Sequence, residues 1–127
     1  MSTAADHTVL TAITTTPVFG DILLEEYARD RRIMVVPTTA VMLAARLTNG
    51  SQRLAALRSS HPAVIKWVSV DDAAFSIGTH IPRRNGAGQD WTADAPVVWA
   101  AQRHGLPILT SEPDRYRTYG VPLVVMP

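Results

Sequence analysis

The segment Leu106 to Tyr116 reads LPILTSEPDRY. An apolar run ends at Thr110, and Ser111, Glu112, Pro113 and Asp114 follow at once. In open α/β sheets the carboxyl ends of the strands are where ligands and metals bind. Other acids sit in similar places. Asp6 follows the short stretch STAA, and Asp90 and Asp94 stand four residues apart in QDWTADAP. On a helix, residues at that spacing share a face. Asp6, Asp90, Asp94 and Glu112 are therefore candidates to meet on one sheet edge. Gathered carboxylates with few local cations are costly unless a divalent ion neutralises them. Hard oxygen ligands of this kind suit Mg²⁺ or Mn²⁺. Such an ion activates water and offsets charge on a phosphoryl group.

These residues need elements to position them. PVFGDILLEEYARD has helical spacing, with Val18, Ile22, Leu23 and Tyr27 on one face and Asp21, Glu25, Glu26 and Arg29 opposite. Ile33 to Val36 reads as a buried strand. TTAVMLAARL is a second helix, with Thr38 or Thr39 as its cap. GSQRLAALRSSH is a third, and Val64 to Val70 is a strand rich in β-branched residues. Asp71 and Asp72 suit the start of the next helix. ADAPVVWAAQRHG is a helix with Pro96 in its first turn and Gly105 at its end. LPILT and VPLVVMP are strands, and Ile81 to Trp91 is the most loop-like segment. Strands alternating with helices predict an α/β fold. It has three layers, α/β/α, around a central, mainly parallel sheet of about five strands. STAA is a poor candidate for a central strand.

The bulk properties narrow the field. The chain has 127 residues, which fits a single domain, residues 1–127, with one core. No apolar run approaches the roughly 20 residues of a membrane span. The first ten residues have no basic n-region and no long apolar stretch, so a cytoplasmic location is expected and no membrane partner. The chain has no cysteine, which excludes disulfides, thiolate metal sites and cysteine nucleophiles. A net charge of +1 gives no strong field, and arginines supply every basic residue but Lys66. No glycine-rich phosphate loop is present, since NGAG lacks the lysine and its context, so no nucleotide cofactor is expected. No nucleophile elbow appears either.

The order of the acidic motifs resembles that of the PIN domains, and especially the VapC-like ribonuclease toxins. The resemblance spans nearly the whole chain. It rests on Asp6-His7-Thr8 in DHTVLTAI, on Asp94, Gly105, Thr110 and Glu112 in DAPVVWAAQRHGLPILTSE, and on the ending YGVPLVVMP. It departs at the helix after the second strand, where the family's Glu would fall on or near Leu43, and Glu112 replaces an Asp. Asp90 or Asp114 can compensate only in part. The resemblance implies a PIN-like nuclease with a degenerate acidic site. Asp6, Asp94 and Glu112 would hold Mg²⁺ or Mn²⁺, and metal-bound water would attack an RNA phosphodiester. Thr8 and Thr110 would order the ligands or the water. Arg83 and Arg84 would contact the phosphates of exposed single-stranded or loop RNA. The implied partners are an RNA substrate, an antitoxin protein lying over the groove, and a second copy in a homodimer. A PIN-like binding or regulatory module without nuclease activity is the alternative.

Blander readings stand beside these. Asp6 can cap the helix near Thr8, Asp90 or Asp94 can cap a later one, and TSEPD can be a plain turn with Pro113 opening a short helix. His7, His61, His80 and His104 form no spaced metal pair and read as structural, with His7 of interest beside Asp6. Trp67 and Trp99 read as core, and Trp91 as a residue near the site mouth. A response-regulator-like domain would need a lysine after a late strand, and Lys66 lies inside one.

Overall fold

The computed structural model describes residues 1–86 and 88–126. Ala87, in the predicted loop, and Pro127, at the end of the predicted last strand, lie outside the described residues.

Strand β1 (Thr3–Ala5) leads into helices α1 (His7–Thr15) and α2 (Pro17–Arg29). Strand β2 (Met34–Pro37) is followed by α3 (Thr38–Leu47) and α4 (Gln52–Ser60). Strand β3 (Ile65–Val68) precedes α5 (Ala74–His80) and α6 (Trp91–His104). Strand β4 (Ile108–Thr110), the 3₁₀ turns Pro113–Arg115 and Arg117–Tyr119, and strand β5 (Leu123–Val125) complete the chain. The five strands form one parallel sheet in the order β3-β2-β1-β4-β5.

Alternating side chains divide the core between two faces, as a strand's period of two requires. Ala5, Met34, Val36 and Leu109 face a layer built from α1, α2, α3 and α4. Ala4, Val35 and Ile108 face α5, α6 and Tyr116. The molecule is thus a three-layer α/β/α fold around an all-parallel sheet. No helix among the described residues is long and apolar enough to cross a membrane.

Several local expectations need correction. STAA does supply a central strand: Thr3, Ala4 and Ala5 are buried between β2 and β4. Both faces of a parallel sheet are covered, so small residues serve where helices pack closely. On α2, Tyr27 is buried and Leu23 packs on the core as expected, but Val18 and Ile22 are exposed, and Gly20 and Leu24 are buried in their place. Gly20 sets that rotation, because a Cβ there would lie 2.6 Å from the Ile13 carbonyl oxygen of α1. Thr38 and Thr39 are the first helical residues of α3; Pro37 takes the cap position without a side-chain bond. Asp71 and Asp72 sit in the turn before α5 rather than at its first residue. Helix α6 begins at Trp91, so Pro96 lies inside it, one turn later than expected. The cause is Asp90, which caps α6 through Thr92 N at 2.9 Å. Gly105 closes the same helix in the left-handed conformation (φ 63°), where a Cβ would be strained.

The sheet order matters for function. From β1 the chain builds outward to β2 and β3, then crosses back to add β4 and β5 on the other side. The direction reverses between β1 and β4. A crevice opens at the carboxyl ends of the strands at such a reversal, and it is the usual ligand position in open α/β sheets.

Candidate functional site at the sheet reversal

Asp6 follows β1 directly and caps α1. Its side chain is fully buried. One carboxylate oxygen accepts from Thr8 N at 3.0 Å, Thr8 Oγ1 at 2.5 Å and Val9 N at 3.4 Å. The other accepts from Thr110 Oγ1 at 2.7 Å and the Tyr116 hydroxyl at 2.8 Å. Capping and membership of the site are therefore one arrangement rather than alternatives. Thr110 ends β4, and its hydroxyl also accepts from Glu112 N at 3.0 Å. The Thr8 hydroxyl accepts from Ser111 N at 3.0 Å. These bonds stitch the ends of β1 and β4 together across the reversal.

Asp94 lies in the first turn of α6 and is also fully buried. Asn85 Nδ2 donates to it at 2.7 Å, and Arg115 Nη1 at 3.1 Å. Burial raises the pKa of Asp94, while the Asn85 bond and the Arg115 charge oppose that rise. Glu112, half-exposed after β4, takes a bond from Arg115 Nε. The Arg115 guanidinium thus stands between the two carboxylates. Burial pulls its pKa down, but the bond it donates to Glu112 and the charge of Asp94 outweigh that and hold it higher than usual. Burial and the neighbouring Asp6 charge push the Tyr116 phenol far above its ordinary value, so it remains a donor. His7 is buried beside Asp6, and burial lowers its pKa against the pull of that carboxylate.

The structure brings Asp6, Thr8, Thr110, Asp94 and Glu112 to one edge but leaves the other candidates outside their network. Asp90 is exposed and bonded to Thr92, and the Thr92 hydroxyl holds its pKa low. Asp114 is exposed and pairs with Arg117 at 2.7 Å. Arg83 and Arg84 are exposed, and their side chains make no ion pair among the described residues. The Arg84 backbone ties the loop to the second 3₁₀ turn: its N–H donates to the Tyr119 hydroxyl at 3.1 Å, and its carbonyl accepts from Thr118. Trp91 packs on the second core and donates to the Ile81 carbonyl at 3.1 Å. Trp67 and Trp99 are partly buried, each with an arginine over its ring.

Two grooves open on the surface, the first of them lined in part by the site residues Thr8 and Glu112. One of about 350 Å³ is lined by His7, Thr8, Thr11, Thr15, Leu47, Ser111 and Glu112. The other, of about 300 Å³, runs between α3 and α6 and is lined by Met42, Leu43, Arg46 and Asp90. Leu43 therefore presents an apolar side chain where the sequence resemblance calls for an acid.

Each acid of the site is already engaged by donors of the protein itself. A carboxylate has about four lone-pair positions, and Asp6 already receives five donors. Asp94 and Glu112 are both engaged by Arg115. Among the described residues no three His, Asp or Glu side chains stand close enough to hold a metal together. Arg115 is a local cation among these acids.

Arg115, Tyr116 and Asn85 are the site residues that sequence reasoning passed over. Arg115 stands three residues after Glu112 in a turn opened by Pro113, so i, i+3 pairing was a usable signal. Tyr116 is the next residue, and nothing local marks it as buried. Asn85 reaches Asp94 from the loop before α6, a contact with no local signature.

A scan against models of known protein families matches none of them, and a search of the curated proteins finds no similar chain.

Proposed function

We propose that this chain is a PIN-like module that acts by binding a partner at its carboxyl edge rather than by divalent-dependent cleavage of RNA. The observation that carries the reading is Arg115, paired with both Asp94 and Glu112. Support for the PIN-like part comes from Asp6, Thr8, Thr110 and Asp94, which meet at the sheet reversal in the order that the sequence resemblance calls for. The fitting partner is a protein segment of the antitoxin type. Such a segment would lie along the edge where α3 presents Met42, Leu43 and Leu47. A homodimer is the assembly this reading implies.

A second reading keeps the nuclease: a Mg²⁺- or Mn²⁺-dependent endoribonuclease, the toxin half of a toxin–antitoxin pair, with cytoplasmic RNA as substrate. It is favoured by the half-exposed Glu112, whose pair with Arg115 is weak in water, and by the exposed Arg83 and Arg84 near the site.

Incubation with a panel of single-stranded and hairpin RNAs in millimolar Mg²⁺ or Mn²⁺ separates the two. We expect cleavage no faster in the wild type than in Asp94→Asn. Metal-dependent cleavage that Asp94→Asn abolishes would replace the module with the nuclease.

A further inference from the structure

We propose that Arg115 is the resident cation of this site: its guanidinium stands where a divalent ion would otherwise neutralise Asp94 and Glu112, and it keeps such ions out. The inference goes beyond the choice of function, since it concerns which cation the carboxylates hold.

Two different nitrogens of one guanidinium serve the two acids. Nη1 donates to Asp94 at 3.1 Å, and Nε donates to Glu112. The planar fork of an arginine suits such bridging, and its charge persists at every relevant pH. The Arg115 side chain is only 17% exposed and Asp94 is fully buried, so the pair is not a loose surface contact. Burying Asp94 without a counter-charge would be costly, and Arg115 supplies that charge from within the chain.

A divalent ion makes different demands. Mg²⁺ needs oxygens at about 2.0–2.1 Å in a near-octahedral shell. An ion held by both Asp94 and Glu112 would need their oxygens in that one small shell, where the guanidinium now lies between them. To enter, the ion must break both arginine pairs and leave a partly buried guanidinium without an anion. Asp6 cannot help it, because the α1 N-terminus, two threonines and Tyr116 already hold that carboxylate. Leu43 adds no ligand.

Removing the positive charge should reverse the preference. In Arg115→Gln, Asp94 and Glu112 lose their counter-ion and become open to Mn²⁺. Calorimetric titration with Mn²⁺ should show the variant binding at least about tenfold more tightly than the wild type, a difference of about 1.4 kcal/mol. Arg115→Lys should stay close to the wild type. Adding Asp94→Asn to Arg115→Gln should abolish the gain. A folded Arg115→Gln protein with unchanged affinity would overturn the proposal.

The wild type alone supplies a second measurement, which decides the matter even if Arg115→Gln does not fold. The Asn85 side-chain amide touches Asp94, so its NMR signal reports any paramagnetic Mn²⁺ in the cluster. It should remain unbroadened with Mn²⁺ in several-fold excess. Selective broadening of that signal would show Mn²⁺ at the acids with Arg115 present, and the proposal would fall. Neither measurement involves RNA, so this inference and the module reading can fail independently.

Discussion

The carboxylate of Asp6 accepts from the first turn of α1 on one oxygen and from Thr110 and Tyr116 on the other. Two substitutions separate these roles. Asp6→Ala removes the cap, worth about 1 kcal/mol. It also strands the buried Tyr116 hydroxyl, at a cost of about 1–3 kcal/mol. Urea denaturation should show a loss of about 3 kcal/mol. Asp6→Asn keeps a carbonyl for the fixed N–H groups of Thr8 and Val9, and turns its amide toward two hydroxyls that can rotate to accept. Its loss should be about 1 kcal/mol. Equal losses in the two variants would mean that the charge, and not the bonding pattern, makes Asp6 necessary. Asp6, Asp94 and Glu112 were legible in the sequence through their order and spacing along the whole chain, since each alone reads equally well as a helix cap or a turn residue. Arg115 was not, because its role depends on Asp94, 21 residues away along the chain. Spacing rules reach only its nearer partner, Glu112.

At the scale of elements, the existence of a helix was easier to read than its orientation. Residues 17–29 carry two apolar series at helical spacing, one through Val18, Ile22 and Leu23 and one through Gly20 and Leu24, and Tyr27 can belong to either. Hydrophobicity favours the first, since glycine contributes nothing to it. The structure buries the second, because only a residue without a Cβ lets α2 approach the Ile13 carbonyl of α1. Close backbone approach is a tertiary fact, and a hydrophobic period cannot express it. The same contact makes Gly20→Ala a sharp test. Alanine gains about 1 kcal/mol of helix propensity over glycine. Its Cβ would stand 2.6 Å from a backbone oxygen that has no flexible end to move away. Overpacking of this kind costs about 1–3 kcal/mol, so we expect a net loss of stability on urea denaturation. A stabilised Gly20→Ala protein would show that α2 is free to shift, and that its packing does not hold α1 and the Asp6 cap in place.

For the whole molecule, the sheet hangs on its least conspicuous strand. β1 has only Thr3, Ala4 and Ala5, yet it is the one strand that touches both β2 and β4. Take it away, and β3-β2 has no backbone link to β4-β5. The buried backbone groups of those strands would then lie unpaired, which interiors do not tolerate. The apolar faces beside β1 would open as well, since Leu10 and Ile13 of α1 pack in one layer and the α6 alanines in the other. The carboxyl-edge site would lose its hub too, because Asp6 is held at the end of that strand. A protein lacking residues 1–5 should therefore show no cooperative unfolding transition, and its amides in β2 and β4 should exchange at rates close to those of an unfolded chain. Small residues hide this role from a propensity-based reading, which looks for β-branched side chains in a central strand. What qualifies β1 is the opposite property: alanine takes little room between two helical layers, and its backbone bonds on both sides do the joining. If the shortened chain instead unfolded cooperatively with protected β4 amides, the two halves of the sheet would be held by helix packing alone, and the reversal crevice would be a surface feature rather than the centre of the fold.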